Sequence, residues 1–308
     1  MKIGILVGEG AGARPTVEQA VGQAKQAEDE GFATAWLVNL FGNDPMILAG
    51  LVGHVTERIE IGTAVVPTYT RHPHVMAQQT LTIQAASHNR FTLGIGLSHQ
   101  IVIEAMMGLS WAKPYSHMKE YLQVLQPLLK ERRVAHKGDE FTVNSNLVVK
   151  GAEVPQLVIA AMAPKMLALA GGTADGTVTW MTGRKTLTEY VVPRIREAAE
   201  ATGRSARVIA CLPVCVTEDK EAERAAVDKG FAMYGNLPSY RAMLDKEGAA
   251  TPSGVAVLGS EAEIEDELAA LAEAGVTDFA AALYKRDEDG VVDRRTREFL
   301  ATKVASFS

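Results

Sequence analysis

Residues 91–100 read FTLGIGLSHQ and combine two things a reaction centre needs: room for a ligand close to the backbone, and an ionisable group beside it. Gly94 and Gly96 weaken a strand unless something must approach its backbone closely. They lead into Ser98 and His99, and an imidazole can gain or lose a proton near neutral pH. An isolated histidine is more often a surface or satisfied core residue, so His99 needs support from its surroundings. A second stretch, Ile61–His72 (IGTAVVPTYTRH), puts Gly62, Thr63 and Ala64 at the end of a strand. A flat ring could lie against such small side chains; the alternative is tight packing of a buried strand.

Other motifs point away from familiar chemistries. The loop Gly8-Glu9-Gly10-Ala11-Gly12 lacks the third glycine of a dinucleotide fingerprint, and Asn39 stands where an acidic residue would close the second strand. It reads as a flexible loop. The chain has no Walker A lysine motif, no H-E-x-x-H and no G-x-S-x-G. His72 and His74 flank Pro73 without further ligands nearby, so no metal site is expected.

The elements that must carry these residues alternate. Strand candidates are Lys2–Gly8, Thr34–Asn39, Ile59–Pro67, Phe91–Ser98, Leu157–Met162, Thr177–Met181, Val208–Val216 and Asp278–Tyr284, each followed by an amphipathic helix. Thr16 and Asp44-Pro45 are helix starts of the expected kind. Val134–Lys150 breaks the rhythm as an inserted hairpin or extended loop, and Ser239–Gly248 is a second, helical insertion. Strands separated by helices imply a parallel sheet. Eight units in 308 residues favour one closed (β/α)8 TIM barrel with insertions, spanning 1–308 as a single domain, over an open doubly wound sheet. Sites in such barrels form at the C-terminal ends of the strands.

Composition bounds the partners. Lys plus Arg total 31 against 37 Asp plus Glu, a net charge of −6, so no basic surplus exists to neutralise a nucleic acid. Cys211 and Cys215 form neither a disulfide framework nor a zinc pattern. No apolar run approaches the roughly 20 residues that cross a bilayer. Met1-Lys2-Ile3-Gly4 enters a strand at once, and a cytoplasmic protein acting on a small-molecule substrate is expected.

Several blocks, taken together, carry a family resemblance. They are the GEGAG loop, AWLVNLFG from Ala35, RIEIGTAVVPTYTRHP from Arg58, RFTLGIGLSHQ from Arg90, VIAAMAPKMLALAG from Val158 and ADGTVTWMTG from Ala174. The chain resembles the luciferase-like monooxygenases, and within them the oxidoreductases that use the deazaflavin coenzyme F420. The resemblance implies a (β/α)8 barrel with an insertion before strand five and a cofactor at its C-terminal mouth. It implies a cis peptide bond between Ala64 and Val65, with Asn39, Thr63, Gly96, Leu97 and Ser98 around the ring. It sets Ala160, Ala161, Met162 and Ala163 near the phosphate-bearing tail, beside the helix that Pro164 opens. His99 is the catalytic candidate for proton work. Trp36, Phe41, Tyr69 and Trp180 are candidate pocket walls, and Lys165 and Arg184 candidate partners of an anionic tail. Family members commonly dimerise, which implies a homodimer. Two departures stand out: relatives often carry Asp-His where this chain has Asn39-Leu40, and sugar-phosphate dehydrogenases carry Glu where His99 aligns. The implied function is hydride transfer between F420 and a small organic substrate. The alternatives are an FMN-dependent monooxygenase and a non-catalytic flavin-binding barrel.

Overall fold

A computed structural model describes residues 1–10, 14–284 and 293–307. Its strands in chain order are β1 (Lys2–Val7), β2 (Thr34–Leu37), β3 (Glu60–Thr63), β4 (Val66–Pro67), β5 (Phe91–Gly96), β6 (Arg133–Lys137), β7 (Thr142–Asn146), β8 (Gln156–Ala160), β9 (Gly176–Trp180), β10 (Arg207–Val216), β11 (Val257–Gly259) and β12 (Asp278–Ala282). Eight of them, β1, β2, β3, β5, β8, β9, β10 and β12, pair in parallel in that order, and β12 returns to β1. This is the closed (β/α)8 barrel that the alternation predicts. The short β4 extends the third stave along β5, and β11 pairs with the outer end of β10. The insertion before the fifth stave is the antiparallel hairpin β6–β7.

Local signals set the helices. Thr16 and Gln19 form a reciprocal capping box at the start of Val17–Asp29. The Asp44 carboxylate accepts the N–H groups of Met46 and Ile47 ahead of Pro45–Val55. One element was not foreseen: Ile101–Met106, just past β5, winds as a π-helix that buries Ile103. Among the described residues no helix is long and apolar enough to cross a membrane.

Alternation along the staves fills the barrel in layers. At the N-terminal end, the Arg207 guanidinium reaches Glu60 at 2.7 Å and Asp278 at 2.5 Å, and Lys2 meets Glu60 at 3.0 Å. Thr92 donates to Glu60 at 2.6 Å, and Gln156 accepts from Arg207. Six staves are thus tied through one cation. Burial works against both charges, yet the acids beside it raise the Arg207 pKa, and Arg207 together with Lys2 lowers that of Glu60. Above this layer lies Trp36, fully buried with Val158, Val178, Ile209, Cys211 and Ala280. Its indole has room because the staves beside it carry glycine: a Cβ on Gly62 would lie 2.2 Å from the Trp36 ring, and one on Gly4 3.0 Å from its Nε1.

A second lock joins the outer helices to the third stave. The buried Glu28 carboxylate accepts the N–H groups of Glu57, Arg58 and Ile59 at 2.7, 2.6 and 3.1 Å. Burial alone would raise its pKa, but these three donors, helped by Lys25, bring it down from 4.5 to about 2. A depressed carboxylate stabilises the fold above its unfolded pKa and loses that contribution as pH falls toward the folded one. Urea titrations should therefore find Glu28→Gln less stable than the parent by about 1–3 kcal/mol at pH 7. The gap should narrow steadily between pH 4.5 and pH 2; a gap independent of pH would show that the charge contributes nothing.

Candidate functional site

The top of the interior is closed by Leu6, Ala64, Val65 and Trp180, which pack on the Trp36 layer and stay partly exposed toward the C-terminal mouth. These four side chains make an apolar floor. Its middle is built by the bulge between β3 and β4, where the Ala64–Val65 peptide is cis, at the bond the resemblance implies. Thr63 holds the bulge: its hydroxyl donates to the Gly94 carbonyl and accepts the Gly94 N–H, both at 2.8 Å. Gly94 is where the two backbones approach, since a Cβ there would sit 1.9 Å from the Thr63 carbonyl oxygen. Gly96 seats Val65; a Cβ at Gly96 would lie 2.6 Å from Val65 Cγ2 and 3.2 Å from the Ala160 methyl.

These distances revise the reading of the small residues. Gly62 makes space for Trp36 and Gly94 for the Thr63 carbonyl, so neither opens onto the mouth. Thr63 has no exposed surface and both its hydroxyl bonds go to Gly94, so it shapes the floor from behind. Trp36 is core, not a wall.

The chain leaves β5 through Leu97 and Ser98, the latter at φ +66°. That left-handed turn brings half-buried His99 against Tyr240, with ring centroids 5.4 Å apart. Burial holds the His99 pKa below its ordinary 6.5, so the imidazole is neutral at pH 7. From Tyr240 an aromatic wall runs to Tyr234 (5.2 Å), on to Trp180 (5.7 Å) and then Phe231 (5.4 Å). Burial pushes the Tyr240 hydroxyl pKa up, and Tyr234 and Cys211 add to the effect. The Trp180 Nε1 is buried without a hydrogen-bond partner among the described residues.

Around this centre the other predicted residues take distinct places. Asn39 is half-buried at the end of β2 and donates from Nδ2 to the Leu40 carbonyl at 3.3 Å. Phe41 is 64% exposed, and its N–H donates to the nearly buried Glu9 at 2.9 Å. Ala160, Ala161, Met162 and Ala163 lead from β8 into the helix Pro164–Thr173. The Ala161 N–H is taken by Thr177 Oγ1 at 3.2 Å, and Met162 Sδ accepts from Thr182. Ala163 caps the helix with no side-chain oxygen, so the N–H groups of Lys165 and Met166 are left for a ligand. Lys165 is exposed, whereas Arg184 pairs with Glu267 at 3.0 Å. Tyr69 stacks on His117 at 3.9 Å and on Trp111 at 5.2 Å. Ala11 and Gly12 of the first loop lie outside the described residues. Among the described residues no three His, Cys, Asp or Glu side chains converge as metal ligands.

Sequence reasoning missed Leu6, Phe231, Tyr234 and Tyr240. Leu6 carried a usable signal, since it alternates with Gly4 on the stave that opens the barrel. Of the three aromatics between β10 and β11, Tyr240 lies in the insertion Ser239–Gly248 that the sequence marks, whereas Phe231 and Tyr234 had no signal.

If the wall around His99 excludes water, its carbon-bound ring protons should titrate in NMR with a midpoint below 6.5. Tyr240→Ala should move that midpoint up toward 6.5 by admitting solvent. A parent midpoint at or above 6.5 would show that His99 is solvated.

Comparison with known proteins bears directly on this barrel. The chain is 28% identical over 236 residues to the F420-dependent glucose-6-phosphate dehydrogenase of Amycolatopsis mediterranei, covering 71% of this chain and 70% of that protein. In three dimensions it superposes on the coenzyme F420-dependent tetrahydromethanopterin reductase of Methanopyrus kandleri with a TM-score of 0.81, at 20% identity and over 100% of both chains. It also superposes on the oxygenating constituent of 3,6-diketocamphane monooxygenase from Pseudomonas putida, solved with FMN, with a TM-score of 0.77 at 16% identity, over 100% of this chain and 98% of that one. The family model for luciferase-like monooxygenases matches residues 1–278, and this chain belongs to that family.

Proposed function

We propose that this protein is an F420-dependent oxidoreductase that transfers hydride between the deazaflavin and a small organic substrate at the barrel mouth. The observation that carries the reading is the apolar floor of Leu6, Ala64, Val65 and Trp180, with Gly96 leaving room for the Val65 side chain. A planar tricyclic ring fits such a floor, because dispersion and desolvation reward face-on contact. Asn39 and Ser98 stand at its edges with polar atoms, and the uncapped helix start at Ala163 offers N–H groups to a phosphate-bearing tail. The F420-dependent dehydrogenase relative supports the choice of cofactor.

When bound, the cofactor supplies hydride chemistry, and the chain supplies orientation and proton management. The floor fixes the plane on which reactants meet; positioning of this kind contributes several kcal/mol. The aromatic wall keeps water from that plane. His99, neutral at pH 7, has a nitrogen lone pair with which to accept a proton from a substrate hydroxyl. In the opposite direction the same ring returns that proton to a substrate oxygen.

The FMN-bound monooxygenase neighbour supports a second reading, oxygen chemistry on the same floor. Fluorescence titration separates the two. F420 should bind at least about tenfold more tightly than FMN, a difference of about 1.4 kcal/mol. In Gly96→Val the new side chain must displace Val65, whose Cγ2 would lie 2.6 Å from the added Cβ, so F420 binding should be lost while circular dichroism stays native. Preferential FMN binding with oxygen consumption would establish the monooxygenase instead. Unchanged F420 affinity in the variant would remove the floor from the site.

A further inference from the structure

Two helices begin at this rim, and the chain treats their N-termini differently. The one at Ala163 has no side-chain cap. The one that starts at Arg184, running without a break through a π-turn to Glu200, already holds a carboxylate. Glu247 accepts the N–H of Lys185 at 3.1 Å and of Thr186 at 2.7 Å. Those are the donors with which a helix start would receive a phosphate. Gly183 lies so close that a Cβ there would be 2.4 Å from the Glu247 carboxyl carbon.

Among the described residues most of the cations nearby are engaged as well, the exposed Lys185 side chain being the exception. Arg184 is held by Glu267 at 3.0 Å, Lys220 by Glu263 at 2.5 Å and Arg241 by Asp245 at 2.8 Å. The cleft onto which this helix start opens, about 620 Å³, is lined by four carboxylates (Glu189, Glu247, Glu263, Glu267) against three cations. Anions meet a balance of charge that disfavours them. Glu247 closes the helix Pro238–Glu247, whose first turn presents Tyr240 to His99 and Tyr234. One inserted helix therefore fills the anion seat and contributes Tyr240 to the aromatic wall.

We infer that the substrate is an uncharged apolar compound, ring-bearing or of similar bulk, with a carbonyl or hydroxyl group, and not a phosphate ester or other anion. The reaction assigned to it rests on the proposed hydride transfer, but the class of molecule is read from the rim alone. Tyr240 and Glu247 are the specificity determinants: the first adds apolar contact, the second rejects a competing charge.

Acetophenone and phenyl phosphate share a ring and differ in charge, which makes them a matched pair of probes. Each is titrated into the F420-saturated protein, and again without cofactor, while the Trp180 indole N–H resonance is followed. Acetophenone should shift that resonance and bind at least about tenfold more tightly than phenyl phosphate. Tyr240→Ala should weaken acetophenone binding by about tenfold or more, with Tyr240→Phe close to the parent. Glu247→Ala should narrow the gap between the probes by strengthening phenyl phosphate; Glu247→Gln, which keeps an acceptor oxygen in place, serves if the alanine variant does not fold. Equal or tighter binding of phenyl phosphate by the parent overturns the inference, and so does failure of acetophenone to move the Trp180 signal in either state. Loss of F420 binding with the contrast between probes intact would overturn the proposed reaction alone.

Discussion

Everything at the mouth depends on how the barrel interior is filled. One indole, Trp36, occupies its middle, and an indole of that size fits only because Gly4 and Gly62 leave the neighbouring staves bare. Interiors are packed to near-crystalline density, so a large side chain at one position dictates small ones around it. The Trp36 Nε1 has no hydrogen-bond partner, an omission that costs on the order of 1–3 kcal/mol. The Arg207 guanidinium lies 5.8 Å from the ring centroid and adds a cation–π contact. With the indole in place, Leu6, Val65 and Trp180 have a support on which to lie.

Stability and function are divided between the two ends of the barrel. The N-terminal end is sealed by Arg207, Glu60 and Asp278, a charge network whose members all have partners. Breaking such a buried pair is strongly destabilising, because it strands the remaining charge. Among the described residues the C-terminal end has a bare helix start at Ala163, a Trp180 Nε1 without a partner and a desolvated His99. A group left without a partner in the protein is available to a ligand, and barrels of this type place such groups where the loops can vary.

The part of this arrangement legible in the sequence was the local part. The eight staves, the caps at Thr16 and Asp44 and the hairpin before the fifth stave follow from periodicity and short-range hydrogen bonding. The position of the cis bond followed from resemblance. What was hidden depends on partners far along the chain. Thr34–Leu37 is buried at every position, so its composition does not show that Trp36 points inward, and Gly62, which makes room for it, reads as space for a ligand. Arg207 finds Glu60 across 147 residues, and Glu247 finds the helix start at Thr186 across 61. Neither pair leaves a mark in local spacing.

Tyr240 illustrates why substrate choice is harder to read than cofactor choice. The floor is made by the staves themselves, whose register the closed sheet fixes. Tyr240 comes from a helix inserted between β10 and β11, which buries Met243 and Leu244 and is tied at the rim by the Glu247 carboxylate on the helix after β9, the Met243 carbonyl accepting from Thr186, and Tyr240 on His99. The proposed floor thus belongs to the scaffold, while Tyr240 of the proposed wall is carried by an insertion whose placement rests on contacts far apart in the sequence.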